Sequence, residues 1–218
     1  MFKAVILDLD GTLAYTIEDL RTGMNLMLTD MGYPLRSVEQ IFEAINCGSR
    51  EFVRRSLPEE AQNDEAVFEK CFALYNKHYS EHYLDSTYAF DGSEEVLYRL
   101  KNAGLRLAVL SNKGDEHTKN MIARIFPADL FDIVLGNTGR FPTKPSPDSA
   151  LYIASELGAK SDEVLYVGDS NVDMETACNA GFYPCGVLWG YRDASVLIGS
   201  GAATLISKPA ELALVAGL

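Results

Sequence analysis

Several features are absent from this 218-residue sequence, and each absence narrows the class of protein. No apolar run approaches the roughly 20 residues that cross a bilayer. Met1 leads straight into an apolar segment, without the charged-then-apolar leader of a secreted protein. Hydrophobic residues make up 47% and charged residues 23%, which are ordinary globular values. The sequence therefore predicts a cytoplasmic protein with no membrane partner, folded as one large domain or as a core with a modest insertion.

Closely spaced cysteines are also missing. The chain has four cysteines, and none of them forms a Cys-x-x-Cys pair: Cys47, Cys71, Cys178 and Cys185. This scatter is typical of thiols in a reducing compartment, and it favours neither a disulfide framework nor a zinc site.

Basic residues are scarce relative to acidic ones. Nineteen lysines and arginines stand against 31 aspartates and glutamates, which gives a formal net charge of −12. Nucleic acids and anionic membranes require a basic surface, so neither is expected as a partner. An anionic small molecule would have to be held by local cations against the overall field.

The segment that organises the sequence is its first apolar run, Val5–Leu7, which suits a strand buried on both faces. It ends in two carboxylates, Asp8 and Asp10, followed by Gly11. An acid at the end of a buried strand lies at the carboxyl edge of a sheet, where open α/β folds bind ligands. Gly11 lets the chain turn there, so Asp10 can be placed over the site independently of Asp8.

Strand and helix patterns alternate through residues 88–218, and they indicate a parallel, doubly wound α/β sheet with right-handed crossovers. Asp91 and Glu94 resemble a capping box that opens the first helix of this part. The predicted strands are Leu105–Leu110, Ile133–Leu135, Val164–Val167, Pro184–Leu188 and a short edge strand at Ala203–Ile206.

Residues 15–87 show helical spacing and no strand pattern, which indicates an inserted helical domain with its own small core. Two short helices are predicted at 37–46 and 49–56, separated by Asn46-Cys47-Gly48, and Asp64 opens a longer one. The predicted domains are therefore a Rossmann-like core of residues 1–14 and 88–218 and a helical cap of residues 15–87.

The carboxyl ends of the predicted strands collect a chemically coherent set of side chains: Asp8, Asp10, Ser111, Asn112, Lys144 and Asp169. Two carboxylates can bind Mg²⁺, and a lysine adds a point charge for phosphoryl oxygens. Ser111 and the backbone amides of the Gly11 turn can donate to the charge that spreads in a phosphoryl transition state. Asp8 could then attack phosphorus while Asp10 exchanges protons with the leaving oxygen and with water. These residues predict phosphoryl transfer.

Four segments carry a resemblance to a known family, in this order: DLDGT at 8–12, LSNK at 110–113, KPSP at 144–147 and GDSNVD at 168–173. With them, the chain resembles the haloacid dehalogenase superfamily, in the branch with a helical cap after the first strand. The resemblance implies that Asp8 is the nucleophile and Asp10 the acid/base. It also implies that Asp8, the Asp10 carbonyl and Asp169 hold Mg²⁺, with Asp173 supporting the metal or Lys144. Ser111, Asn112 and Lys144 are then expected to bind phosphate.

The resemblance also bears on the substrate. Asp10 is typical of the phosphotransferases of the superfamily, and Thr12 is similar to its phosphatases. The segments YVGDS at 166–170 and WGYR at 189–192 resemble phosphoglycolate phosphatases, which implies a small phosphorylated metabolite. A sugar phosphomutase, a nucleotide phosphatase, a pyrophosphatase and a non-catalytic phospholigand-binding protein stay open as alternatives. Tyr15 departs from the family pattern, which usually has an aspartate there.

Three other features of the sequence are candidates for a functional role. His78 and His82 lie four residues apart on one predicted helix, but the sequence near them offers no third metal ligand. Arg50 follows Gly48-Ser49 in the cap, and its position is compatible either with substrate contact or with a solvated arginine at a helix start. Arg192 is a weaker candidate than Arg50. The oligomeric state is left open, and a monomer is compatible with the sequence.

Overall fold

The computed structural model describes residues 1–45 and 48–218. These residues form two compact units: a core unit of Met1–Tyr15 with Ala89–Leu218, and a helical unit of Thr16–Tyr88. Both boundaries fall one residue later than those predicted from sequence. Asn46 and Cys47, predicted to separate two short helices, lie outside the described residues.

The core unit contains a six-stranded parallel sheet in the order β5-β4-β1-β6-β7-β8. In chain order, the strands of the described residues are β1 Ala4–Leu7, β2 Ala14–Tyr15, β3 Tyr88–Ala89, β4 Arg106–Gly114, β5 Ile133–Asn137, β6 Val164–Gly168, β7 Tyr183–Val187 and β8 Thr204–Ile206. β2 and β3 are two-residue strands that pair with each other. This arrangement confirms the predicted α/β class with a Rossmann-like core.

Strand β1 lies at the centre of the sheet because its side chains can be buried on both faces. All four of its residues are buried, and it pairs with β4 on one side and β6 on the other. Leu7 is in register with Val109 and with Val167. The residues just after these three positions therefore arrive together at one edge of the sheet.

Helices flank the sheet. Those of the core unit are α6 Ser93–Asn102, α7 Asp115–Ile125, α8 Asp148–Glu156, α9 Asn171–Ala180, α10 Ala194–Gly199 and α11 Glu211–Val215. The predicted capping box at Asp91 is wrong. Helix α6 is capped by Gly92 in the left-handed conformation, with no side-chain cap hydrogen bond. Ser170 and Asp173 instead form a capping box at the start of α9.

The helical unit comprises α1 Ile17–Asp30, α2 Val38–Ala44, α3 Ser49–Ser56, α4 Glu59–Gln62 and α5 Glu65–His82. Asp64 caps α5 as predicted, because its carboxylate accepts hydrogen bonds from the backbone of Ala66 and Val67. The short helix α4 was not predicted. Among the described residues, no helix is both long enough and apolar enough to cross a membrane.

Candidate active site

Four strand ends of the core unit bring the predicted site residues to one edge of the sheet. Asp8 follows β1, and its backbone N–H donates to the Val167 carbonyl of the neighbouring β6 at 2.9 Å. Asp169 follows β6, and Ser111 lies within β4. Lys144 comes from the loop after β5, and its peptide bond to Pro145 is cis.

Lys144 is the buried cation of this edge. Its Nζ lies 2.7 Å from Asp8 Oδ1 and 2.6 Å from Asp173 Oδ1, and it also donates to the Leu110 carbonyl at 3.3 Å. All three charged side chains are buried. Lys144 thus holds the Asp8 carboxylate in place, with Asp173 as the second anchor.

Burial and crowding of like charges set the electrostatics of the cluster. Burial, followed by the repulsion of Asp173, raises the pKa of Asp8 to about 7, although Lys144 acts in the opposite direction. Burial, together with Asp173 and Asp8, likewise raises the pKa of Asp169 well above its ordinary value. Burial alone would lower the pKa of Lys144, but Asp173 and Asp8 outweigh it and hold that pKa well above the usual range. The edge therefore carries more negative charge than its lysine can offset.

Asp169 is fully buried and closely enclosed. Its Oδ2 accepts a hydrogen bond from the Tyr191 backbone N–H at 2.7 Å, and the Thr12 hydroxyl lies 3.4 Å from Oδ1. A Cβ at Gly11 or at Gly190 would overlap the Asp169 side chain, so both neighbours must be glycine. Gly11 also has a φ of +84°, a left-handed conformation that side chains disfavour.

The carboxylates fit a divalent cation. Asp8, Asp169 and Asp173 are buried, and each offers an oxygen within 4.8 Å of those of the other two. With all three acids ionised, as a bound cation would favour, their charge would exceed that of Lys144 by two, and carboxylate oxygens are the ligands that Mg²⁺ prefers. Asp173 already has partners on both oxygens, since Oδ1 pairs with Lys144 and Oδ2 accepts from the Ser170 backbone and hydroxyl. Its contacts therefore favour a supporting position.

The Asp10 carboxylate is not a member of this group of three acids. The backbone N–H groups of Thr12, Leu13 and Ala14 all donate to the Leu9 carbonyl, which closes a tight turn around Asp10. The Asp10 carboxylate pairs with Lys113, with Nζ and Oδ1 3.1 Å apart. Both side chains are mostly buried, Lys113 at 6% exposure and Asp10 at 13%.

Asn112 serves the site through its neighbour. Its side-chain nitrogen donates to the Lys144 carbonyl at 3.1 Å, and its Oδ1 accepts from the Lys144 backbone N–H at 2.8 Å. The Asn112 amide therefore clamps the backbone from which Lys144 extends. Ser111 is buried, and its hydroxyl oxygen accepts from the Lys113 backbone N–H at 3.1 Å.

Comparison with known proteins identifies the family of this chain. The model of haloacid dehalogenase-like hydrolases matches residues 5–187, which include all four sequence segments noted above. The chain belongs to this family. It is also 35% identical to a phosphoglycolate phosphatase of Thiobacillus denitrificans over 192 residues, which is 87% of this chain and 85% of that one. A phosphoglycolate phosphatase of Chromobacterium violaceum is 32% identical over 212 residues, 96% of this chain and 94% of that one.

A solved structure agrees with this placement. The crystal structure of a predicted phosphoglycolate phosphatase from Haemophilus somnus matches with a TM-score of 0.91 at 26% identity. The match covers 98% of this chain and 97% of that one. The predicted resemblance to the haloacid dehalogenase superfamily, and within it to phosphoglycolate phosphatases, is confirmed.

Three contacts of this haloacid dehalogenase-like site were not predicted from the sequence. Lys113 was part of a recognised segment, yet it was given no partner, and the structure pairs it with Asp10. Tyr191 was noted only as part of an aromatic loop, and its backbone N–H holds Asp169. The Trp189 indole N–H donates to the Thr12 carbonyl at 3.0 Å, which ties the same loop to the first turn. The segment WGYR at 189–192 was the sequence feature that could have indicated the contacts of Trp189 and Tyr191.

Arg50, the candidate substrate-binding residue of the cap, lies in helix α3 of the helical unit. Arg50 is half exposed and forms ion pairs with Glu69 and Glu65. Its guanidinium also lies 4.8 Å from the ring centre of Phe68 and 4.9 Å from that of Phe72. A substrate role for Arg50 stays a prediction, and it would require these ion pairs to give way.

The two histidines of α5 do not share a ligand. His78 Nε2 lies 2.7 Å from Asp30, and His82 Nδ1 lies 2.7 Å from Asp85. Each imidazole thus has a carboxylate partner of its own.

Proposed function

We propose that this hydrolase is a Mg²⁺-dependent phosphatase that cleaves a small phosphomonoester, 2-phosphoglycolate, through an aspartyl-phosphate intermediate. The observation that carries the proposal is the separation of two acids at one sheet edge. Asp8 is fixed by Lys144 inside an acidic cluster, whereas Asp10 stands outside that cluster beside Lys113. This separation supports a division of roles in which Asp8 attacks phosphorus and Asp10 exchanges a proton with the leaving oxygen.

The first half of the reaction transfers the phosphoryl group to Asp8. An Asp8 oxygen forms a bond to phosphorus as the ester bond to the leaving oxygen breaks, and Asp10 gives that oxygen a proton. Lys144 and the Ser111 hydroxyl bind the phosphoryl oxygens and offset their charge. Mg²⁺, held by Asp8, the Asp10 carbonyl and Asp169, would further neutralise the charge between nucleophile and phosphate.

The second half regenerates the enzyme. Asp10, now ionised, accepts a proton from a water molecule as that water attacks phosphorus. The bond from phosphorus to the Asp8 oxygen breaks, and inorganic phosphate leaves. We propose that Asn112 contributes by fixing the Lys144 backbone, and that Asp173 contributes by fixing its ammonium group.

The substrate assignment rests on the relatives. Curated proteins that match most of this chain at 31–35% identity are phosphoglycolate phosphatases. The net charge of −12 gives no general attraction to an anionic substrate, so its binding must depend on cations at the site. The buried Lys144 and Lys113 meet that requirement.

Hydrolysis of 2-phosphoglycolate should require Mg²⁺ and should be lost on chelation with EDTA. The pKa of about 7 for Asp8 and the raised pKa of Asp169 mean that protons compete for these carboxylates. Mg²⁺ affinity should therefore fall as the pH is lowered from 8 to 6. Phosphate release measured against a panel of metabolite phosphates, together with Mg²⁺ titration at the two pH values, tests both statements. A faster reaction with a sugar phosphate, a nucleotide or pyrophosphate would refute the substrate, and full activity in EDTA would refute the metal.

Asp10→Ala should lower kcat by about 100-fold or more, the usual weight of one acid/base group. Its carboxylate is paired with Lys113 and lies outside the acidic cluster, so Mg²⁺ affinity should change little. Asp169→Ala is the matched comparison, because it removes a carboxylate of the cluster itself. Calorimetric titration of both variants with Mg²⁺ checks the difference. Equal loss of Mg²⁺ affinity in the two variants would contradict the separate roles.

A further inference from the structure

Lys113 is a mostly buried cation of the core unit to which the proposed reaction assigns no step. It is delivered by β4 at an irregularity, since the register of β4 with β5 shifts between Leu110 and Gly114. Such a shift changes the direction of the side chains within it. Irregularities of this kind are frequent beside active sites. Ser111 and Lys113 thus come from the same short segment.

The Lys113 ammonium is buried at the position of the proposed acid/base. Its side chain is 6% exposed, and its Nζ lies 3.1 Å from Asp10 Oδ1. Burying a lysine is costly, and a neutral donor would orient the Asp10 carboxylate at lower cost. The positive charge of Lys113 is therefore expected to have a function besides orienting the Asp10 carboxylate.

The leaving group of a bound substrate would lie close to the Lys113 ammonium. Asp10 has to contact the leaving oxygen in order to protonate it, so the rest of the leaving group lies beside the Asp10–Lys113 pair. In 2-phosphoglycolate the carboxyl carbon is only two bonds from that oxygen. The substrate carboxylate can therefore reach Lys113 while the phosphoryl group is bound by Lys144.

We infer that Lys113 is a specificity-determining residue, which recognises a carboxylate on the leaving group and so selects carboxylated phosphomonoesters. This inference rests on the proposed phosphatase function and names the part of the site that reads the substrate. It moves charge recognition from Arg50 of the helical unit, whose guanidinium is engaged by Glu65 and Glu69, to the core unit.

Two substrates isolate the carboxylate: 2-phosphoglycolate and its neutral amide, 2-phosphoglycolamide. The ratio of their kcat/KM values measures discrimination by charge, whereas any effect of Lys113 on Asp10 acts on both substrates. Lys113→Met should lower this ratio by about 10- to 100-fold, the weight of one hydrogen bond to a charged group. Lys113→Arg should keep most of it, because the charge is retained.

Two further variants serve as comparisons. Lys119→Met removes an exposed lysine of the next helix, which is paired with Asp115, and it should leave the ratio unchanged. Arg50→Ala tests the competing assignment, and it should also leave the ratio near the wild-type value. Should Lys113→Met fail to fold, as judged by circular dichroism, Lys113→Gln takes its place with the same expectation.

Two results would overturn the inference while leaving the phosphatase function intact. One is an unchanged ratio in Lys113→Met, whether activity on the two substrates is retained or falls equally, and the other is a collapse of the ratio in Arg50→Ala instead. Failure of the wild-type protein to hydrolyse either substrate would instead refute the proposed function on which the inference rests. The two failures are therefore distinguishable in one set of assays.

Discussion

Asp8→Asn should abolish turnover, with kcat reduced by about 10⁴-fold or more, on the scale of removing a covalent nucleophile. The amide has the shape of the carboxylate but cannot attack phosphorus as an anion. It also removes the ion pair with Lys144 at 2.7 Å and one oxygen of the acidic cluster. Steady-state phosphate release measures the loss, and acid-quenched labelling with a radioactive phosphoryl donor measures the intermediate. Labelled wild-type protein and unlabelled Asp8→Asn protein are the expected pair.

Asp132→Asn is the matched control for this substitution. Asp132 is an aspartate of the same sheet, but it lies at the opposite end, just before β5. There it accepts from the Leu107 backbone N–H and pairs with Arg106. Its amide variant should cost about 1 kcal/mol of stability and leave turnover close to wild type. Near-normal turnover in Asp8→Asn would exclude the covalent mechanism.

Lys144→Met should be the most destabilising of the substitutions at the site. It leaves Asp8 and Asp173 buried without their cation, and breaking a buried pair in this way costs about 3–5 kcal/mol. Loss of the charge that is proposed to bind the phosphoryl group should also lower kcat/KM by about 10²–10³-fold. Urea denaturation in EDTA gives the first quantity, and phosphate release at saturating Mg²⁺ gives the second.

Lys119→Met again provides the comparison, because its exposed pair with Asp115 should contribute less than about 1 kcal/mol. Mg²⁺ should recover part of the stability lost in Lys144→Met, since a divalent cation offsets the same carboxylates. A stability change as small as that of Lys119→Met would show that the buried acids are satisfied without the lysine.

The site could be predicted wherever strand patterns determine it. Val5–Leu7 is apolar on both faces and therefore central, and the parallel neighbours of β1 bring Ser111 and Asp169 to the same edge. Because the strands are parallel, the alternation of strands and helices in the sequence is enough to predict that their carboxyl ends meet at one edge of the sheet. For this reason Asp8, Lys144 and Asp169 are adjacent in the structure, as their positions in the sequence implied.

What the sequence did not reveal depends on local backbone geometry and on contacts between distant loops. Asp91 and Glu94 have the spacing of a capping box, but Gly92 adopts a left-handed conformation and becomes the cap itself. Nor did the sequence indicate that the Asn112 amide forms two hydrogen bonds with the Lys144 backbone, 32 residues away. Lys113, which pairs with Asp10, lies within the register shift of β4, and no periodicity in the sequence predicts that shift.

The loop that encloses Asp169 also contains the single tryptophan of the chain. Trp189 donates to the Thr12 carbonyl, its ring lies 6.4 Å from that of Phe90, and two residues later Tyr191 holds the Asp169 carboxylate. The emission of a single indole therefore reports on the immediate surroundings of the acidic cluster, undiluted by other tryptophans. The proposed binding of a cation and of phosphate at this edge of the sheet can thus be tested by stopped-flow fluorescence on the unlabelled protein.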